Sequence, residues 1–205
     1  EIMPSLVGSE MCIRDRGFRN LSNSKHSVTK LEDISGLKVR VMTNPVALDT
    51  WKTLGSNATP MAFAEVFPAL EIKALDGQEN PLQHMYANKM QEVQKYISLT
   101  NHVYTPVALV ASKKFWDRLS ESDRAGLRKA ATEAGLLQRK LLDEGDAEVI
   151  GKFKAAGVQV DALSAADVAR IQDKVKPVVA KFTPVIGEEF VQGFYTEIEQ
   201  ARKAK

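Results

Sequence analysis

Gly36-Leu37-Lys38-Val39-Arg40-Val41-Met42 and, further along, Asp76-Gly77-Gln78-Glu79-Asn80-Pro81 decide how this chain is read. In the first stretch Leu37, Val39 and Val41 alternate with Lys38, Arg40 and Met42, the period of a strand with one apolar face. The second stretch reads as a polar turn closed by an Asn-Pro stop. A strand of this kind cannot hide a guanidinium in its core without a partner, so Arg40 is expected to project into a cleft. A planar fork there suits a carboxylate, which it binds through two parallel charge-assisted bonds that lysine cannot reproduce. The competing use of Arg40 is an ion pair with a neighbouring Asp or Glu.

Working outward, strand and helix alternate. Pro45 to Leu54 reads as a helix with proline in its first turn and Gly55 at its stop, and Ala64 to Leu70 as a second helix. Leu75-Asp76-Gly77 reads as a short strand entering the turn. Gln91 to Tyr96 reads as a short helix or turn, and Tyr104 to Ala111 as a buried strand. Ser120 caps a long helix running towards Lys154 and ended by Gly157; Val158 to Val160 is a short strand. Ser164 opens a further helix that Pro184 and Gly187 are expected to break. Glu188 to Arg202 is a final amphipathic helix. The pattern by itself reaches an α/β fold with a helical C-terminal half.

The 205 residues carry 28 basic and 26 acidic side chains for a net charge of +2, with no long run of one sign, which argues against a nucleic-acid partner. No apolar run reaches the ~18 residues of a membrane span. The single cysteine, Cys12, excludes an internal disulfide framework, and His26 and His84 belong to no metal-ligand spacing. Nucleophile motifs, phosphate loops and metal clusters are missing, so no cofactor and no catalytic residue are expected. Glu1 to Arg16 has neither the basic nor the apolar region of a secretory signal and is set aside as an unmatched, artefactual leader.

Several segments together resemble the substrate-binding proteins of tripartite ATP-independent periplasmic (TRAP) transporters. They are Gly17 to Lys25, Gly36 to Met42, Pro60 to Leu70, Asp76 to Pro81, Glu92 to Tyr96 and Thr100 to Tyr104, in the family's order. The resemblance implies one lobe of a periplasmic-binding-protein (type II-like) clamshell with long C-terminal helices, matching the C-terminal part of a family member, its N-terminal half-domain missing. It divides the chain into the leader at 1–16, an α/β ligand-binding lobe at 17–105, a crossover strand with long helices contributing to the other lobe at 106–157, and a return strand with C-terminal helices at 158–205.

The same resemblance implies a periplasmic protein that captures a small organic acid, a C4-dicarboxylate, sugar acid or keto acid, and presents it to an ion-coupled TRAP membrane permease. The sensory alternative, a ligand-binding protein serving a receptor kinase, uses the same pocket; an enzyme acting on a similar acid through His102, Asp76 and Glu79 is the other-class alternative. Arg40 matches the carboxylate-clamping arginine and Asn80 the ligand-contacting asparagine, an Asx turn before Pro81 being its local use. Arg19 matches a second cationic position, against the ordinary fate of a solvated arginine. Phe63 is a candidate wall for the ligand's carbon skeleton or a packing residue, and His102 a candidate hydrogen-bond partner or a satisfied packing histidine. Trp51, Trp116 and Tyr104 read as core or hinge packing, and Glu79 as support for the turn or a lysine's partner. Thr43 stands where some sialic-acid binders of the family carry asparagine, which argues against that ligand.

Overall fold

The computed structural model describes residues 10–203, the side chains of 10–15 and 143 excepted. Seven α-helices surround a six-stranded mixed sheet among these residues. In chain order they are β1 (Glu10–Asn23), β2 (Val39–Val41), α1 (Pro45–Thr53), β3 (Thr59–Pro60), α2 (Val66–Glu71), β4 (Gly77–Pro81), α3 (Leu82–Ala87), β5 (Tyr96–Ala111), α4 (Lys113–Trp116), α5 (Glu121–Ala155), β6 (Gln159–Ala162), α6 (Ala165–Ile186) and α7 (Glu188–Lys203). The strand order is β3-β2-β4-β1-β5-β6. β2 runs parallel to both β3 and β4, and β5 runs parallel to β6, while β1 is antiparallel to β4 and β5.

Two apolar clusters cover the sheet. Val66, Leu70, Leu82, Met85, Ile97 and Phe153 join α2, α3 and the last third of α5 to one face. Leu21, Val39, Val41 and Trp51 form the other, against which Ile171 and Val175 of α6 pack. Both faces are therefore covered, the usual condition of strands with parallel neighbours, and all three residues of β2 are buried.

Local signals set most boundaries. Asn44 caps α1, its Oδ1 accepting from Val46 N and Ala47 N, with Pro45 at the first helical position. Ser120 and Ser164 cap α5 and α6 by accepting from the backbone N–H three residues on. Pro184 removes a helix hydrogen bond without ending α6, contrary to expectation; the helix stops at Gly187, whose φ of 109° departs from the helical range.

Further readings are corrected. Asp76 to Pro81 is not a turn: Gly77–Pro81 is a strand between β2 and β1, buried at all five positions. Its polar side chains enter the sheet because each finds a hydrogen-bond partner there, as described below. The leader boundary at residue 16 also moves. Residues 1–9 lie outside the described residues, but residues 10–15 already belong to β1 and pair with 106–111 of β5. Gly17, with φ of 79°, sits in the register shift between Asp15 and Phe18, where an unpaired residue in a left-handed conformation bends the ribbon. The strand expected at Tyr104 to Ala111 is the far half of β5, Tyr96–Ala111, and it is not buried as expected: β5 is buried near its start and mostly exposed beyond Thr100, where its neighbour is the start of β1.

Gly77 is demanded by packing. A Cβ there would stand 2.2 Å from Ser22 O and 2.9 Å from Asn23 Cβ, both on the paired strand. Gly77→Ala is expected to destabilise the fold by about 3 kcal/mol, because the obstructing atom is backbone in the sheet centre and cannot swing aside. Urea denaturation of the two proteins measures it.

Candidate functional site

The site lies towards the C-terminal ends of β2 and β4, where Arg40, Gln78, Glu79 and Asn80 meet β1 and β5. Parallel register sets Arg40 beside Gln78. Alternation along β4 puts Gln78 and Asn80 on one face and Glu79 on the other.

Glu79 is 1% exposed and organises the second face. Arg19 of β1 holds it through Nε to Oε2 and through Nη2 to Oε1 at 2.9 Å, while Nη2 also donates to Glu79 O at 2.6 Å and to Asn80 Oδ1 at 3.0 Å. His102 Nε2 meets Glu79 Oε2 at 3.2 Å, and its Nδ1 meets Thr100 Oγ1 at 2.8 Å. Burial raises the Glu79 pKa, but the bonds from His102 and Arg19 outweigh that and hold it below the usual carboxylate range. An ionised carboxylate only accepts, so His102 donates to Glu79 through Nε2, while its Nδ1 pairs with the Thr100 hydroxyl. The ring stands edge-to-face on Trp51 at 5.1 Å.

Arg40 is arranged differently. It is 4% exposed, yet among the described residues no carboxylate lies within ion-pair distance. The hydrogen bond found for its guanidinium runs from Nε to Met61 O at 2.9 Å, and Cζ lies 5.9 Å from the Phe63 ring centroid. Burial lowers its pKa; Glu79 pulls the other way and Arg19 adds to the lowering. Half-buried Phe63 in turn stacks on His84, with centroids 4.5 Å apart and an interplanar angle of 41°. The His84 pKa is lowered first by burial and then by Arg16, Arg19 and Arg40. Cationic groups therefore dominate this end of the sheet, and Glu79 is committed to Arg19 and His102.

All five residues singled out by sequence fall in or beside this region, in different roles. Among the described residues the ion-pair alternative for Arg40 is not formed. Asn80 makes no Asx turn; its Oδ1 accepts from Arg19 and its Nδ2 donates to Gln78 Oε1 at 2.5 Å. Arg19 is buried and ion-paired rather than solvated. His102 has both ring nitrogens engaged by protein groups. Glu79 pairs with an arginine and a histidine, not a lysine, and Asp76 accepts from Lys38 N at 2.9 Å beneath the strand. Tyr104 is exposed, edge-on to Phe18 at 4.9 Å, rather than core. Sequence reasoning missed Gln78 and the Arg19–Glu79–His102 cluster; reading Gly77 to Pro81 as an alternating strand would have separated the two faces. Among the described residues no group of three or more His, Cys, Asp or Glu is disposed to hold a metal ion, and no helix is long and apolar enough to cross a membrane.

The family of bacterial extracellular solute-binding proteins, family 7, matches residues 11–184. The 2,3-diketo-L-gulonate-binding periplasmic protein of Escherichia coli K12 is 40% identical over 146 residues, which cover 71% of this chain and 44% of that protein. A TRAP periplasmic solute-binding protein from Ochrobactrum anthropi, solved with its C-terminus in the ligand-binding pocket, superposes with a TM-score of 0.89 at 42% identity, over 100% of this chain and 65% of that one. The sugar-acid-binding protein of Advenella mimigardefordensis, solved with galactonate, gives 0.85 at 43% identity, over 94% and 61%. The chain spans about half the length of the curated relatives it matches.

Two lowered pKa values give a stability profile of defined sign. As pH falls below the ordinary histidine value of 6.5, the unfolded chain takes up a proton that folded His84 resists, so stability declines. Glu79 contributes fully above the ordinary 4.5, and its contribution is lost as pH falls on through its depressed folded value. Melting temperature is expected to drop on acidification from about pH 7 to about 5.5, with His84→Gln flattening that limb and leaving the lower one.

Proposed function

Because the chain belongs to family 7 of the bacterial extracellular solute-binding proteins, we propose that it captures a small organic acid in the periplasm for delivery to an ion-coupled TRAP membrane permease. It binds and releases; no bond is made or broken. The observation that carries the reading is the buried Arg40 guanidinium with no carboxylate partner among the described residues, next to a buried Asn80 amide. Leaving such a charge unpaired is costly, and a ligand carboxylate supplies the missing partner.

The remaining groups support one carboxylate rather than two. Glu79 neutralises Arg19, which leaves Arg40 as a buried cation at the site with no protein carboxylate among the described residues. Asn80 and the flat ring of Phe63 suit a hydroxylated carbon chain, with one polar contact and one apolar wall. A sugar acid has that chemistry, in keeping with the galactonate, erythronate and glucuronate bound by similar proteins. Arg19 and His102 act from behind, holding Glu79 and, through Arg19, Asn80.

In this reading residues 17–105 form the ligand-binding lobe, the crossover strand and long helices of 106–157 contribute to a second lobe, and 158–205 return as a strand and C-terminal helices, Ile171 and Val175 of α6 packing on the first lobe. Exposed Leu127, Leu136, Leu137 and Leu141 on α5 support the placement of 106–157.

Titration with D-galactonate, followed through the Arg40 Nε–H signal so that weak binding is also seen, tests the anchor. The signal is expected to shift with galactonate and not with D-galactose. Arg40→Ala is expected to lose at least ~100-fold in affinity, the scale of about 3–5 kcal/mol for breaking a buried charge pair. Arg40→Lys falls between, keeping the charge and losing the fork. Binding by Arg40→Ala within a few-fold of the parent, with unchanged circular dichroism, would overturn the anchor.

A further inference from the structure

A chain of buried side chains crosses the sheet behind the site. Arg19 Nη2 donates to Asn80 Oδ1 at 3.0 Å, Asn80 Nδ2 to Gln78 Oε1 at 2.5 Å, and Gln78 Nε2 to Ser22 Oγ at 2.8 Å. The Ser22 hydroxyl has Gln94 Oε1 at 3.0 Å, nearer than Gln78 O at 3.4 Å. Gln94 Nε2 ends the chain on two backbone carbonyls, Val93 O at 3.0 Å and Asp76 O at 3.4 Å. Asn80, Gln78, Ser22 and Gln94 are each at most 4% exposed.

The direction of every link is forced. An arginine only donates and a carbonyl only accepts, so the two ends allow one orientation of each amide and hydroxyl between them. Turning the Asn80 amide over would set its N–H groups against Arg19 and its oxygen against the Gln78 oxygen. In the orientation held, one Asn80 Nδ2 hydrogen goes to Gln78 and the second remains for a ligand oxygen. Together with Arg40, the site then offers donors alone, the complement of an acceptor-only carboxylate.

We propose that Gln78 is a positioning residue for carboxylate recognition: anchored by Ser22 and Gln94, it accepts one Asn80 hydrogen and so fixes the Asn80 amide with its other N–H towards the ligand. This rests on the function proposed above. Gln78 touches no ligand in this role and acts through Asn80. Its neighbour in register is Arg40, so one buried residue keeps the site's amide in order beside its cation.

The experiment separates this role from packing and from failure of the function itself. Gln78→Met keeps the length and apolar volume but offers Asn80 no good acceptor. D-galactonate affinity is expected to fall about ten-fold, the scale of one hydrogen bond. In an Asn80→Ala background the same substitution is expected to change affinity by less than about two-fold, since a residue acting through Asn80 has nothing left to act on. An equal loss in both backgrounds, or no loss in the parent, overturns the proposal. Ser22→Ala, which takes away the hydroxyl that anchors Gln78 Nε2 while leaving Gln78 and Asn80 themselves in place, serves if Gln78→Met fails to fold.

A ligand-free readout stands beside it: the two Asn80 Nδ2 proton signals are expected to lose separation and exchange faster in Gln78→Met or Ser22→Ala. Unchanged signals overturn the positioning role. Should galactonate not bind the parent protein while these signals respond as expected, the function proposal fails and the positioning of Asn80 by Gln78 stands.

Discussion

The ion pair of Arg19 with Glu79 is the constraint on which the centre of the molecule depends. β4 occupies an interior place in the sheet with a glutamine, a glutamate and an asparagine in succession, residues that ordinarily keep a segment at the surface. Burying Glu79 ionised is tolerable because a guanidinium and an imidazole both donate to it. With the carboxylate satisfied, the strand can pair on both edges, β2 on one side and β1 on the other. The two apolar clusters then close over the faces.

That arrangement also fixes the electrostatics of the site. Arg19 and Arg40 are near enough to oppose one another's charge, and Glu79 is the carboxylate that could serve either. Its geometry commits it to Arg19, whose fork reaches both oxygens and the backbone carbonyl of the same residue. Arg40 is left with a carbonyl and an aromatic ring, which do not neutralise it. In the function proposed, a preference for anions follows from the commitment of one buried acid to one of two neighbouring arginines.

Much of this was legible in the sequence, and the illegible part has a physical reason. The alternation of Leu37, Val39 and Val41, the caps at Ser120 and Ser164, and Pro45 with Gly55 are local signals, and the structure bears each of them. Arg40 was singled out because a guanidinium in an apolar strand is a conflict visible within a few residues. Asp76 to Pro81 failed because Gly, Asn and Pro locally favour turns, whereas the compensation that makes it a strand comes from Arg19, Ser22 and Gln94, far away in the chain. Gln78 escaped notice for the same cause: a lone glutamine announces nothing until both its hydrogen-bond partners are known. The start of β1 was missed because its pairing partners lie far along the chain in β5, from Pro106 opposite Asp15 to Ala111 opposite Glu10, and residues 10–15 carry no pattern of their own.

Apolar residues in place of Gln78, Glu79 and Arg19 would avoid the desolvation of the ion pair, since replacing a buried ion pair by apolar residues is often neutral or stabilising. Asn80 would then lack the Gln78 acceptor for one hydrogen and the Arg19 donor that holds its oxygen, and the amide could turn. The exchange would also leave Arg40 beside nothing that fixes the geometry of the proposed ligand. The polar strand therefore exchanges stability for a defined set of donors. The consequence runs outward from there: Gly77, against Ser22 O, lies at the foot of the strand whose other end carries the proposed ligand contact Asn80, so the register that brings Gln78 to Ser22 and Asn80 to Arg19 is set where no side chain fits.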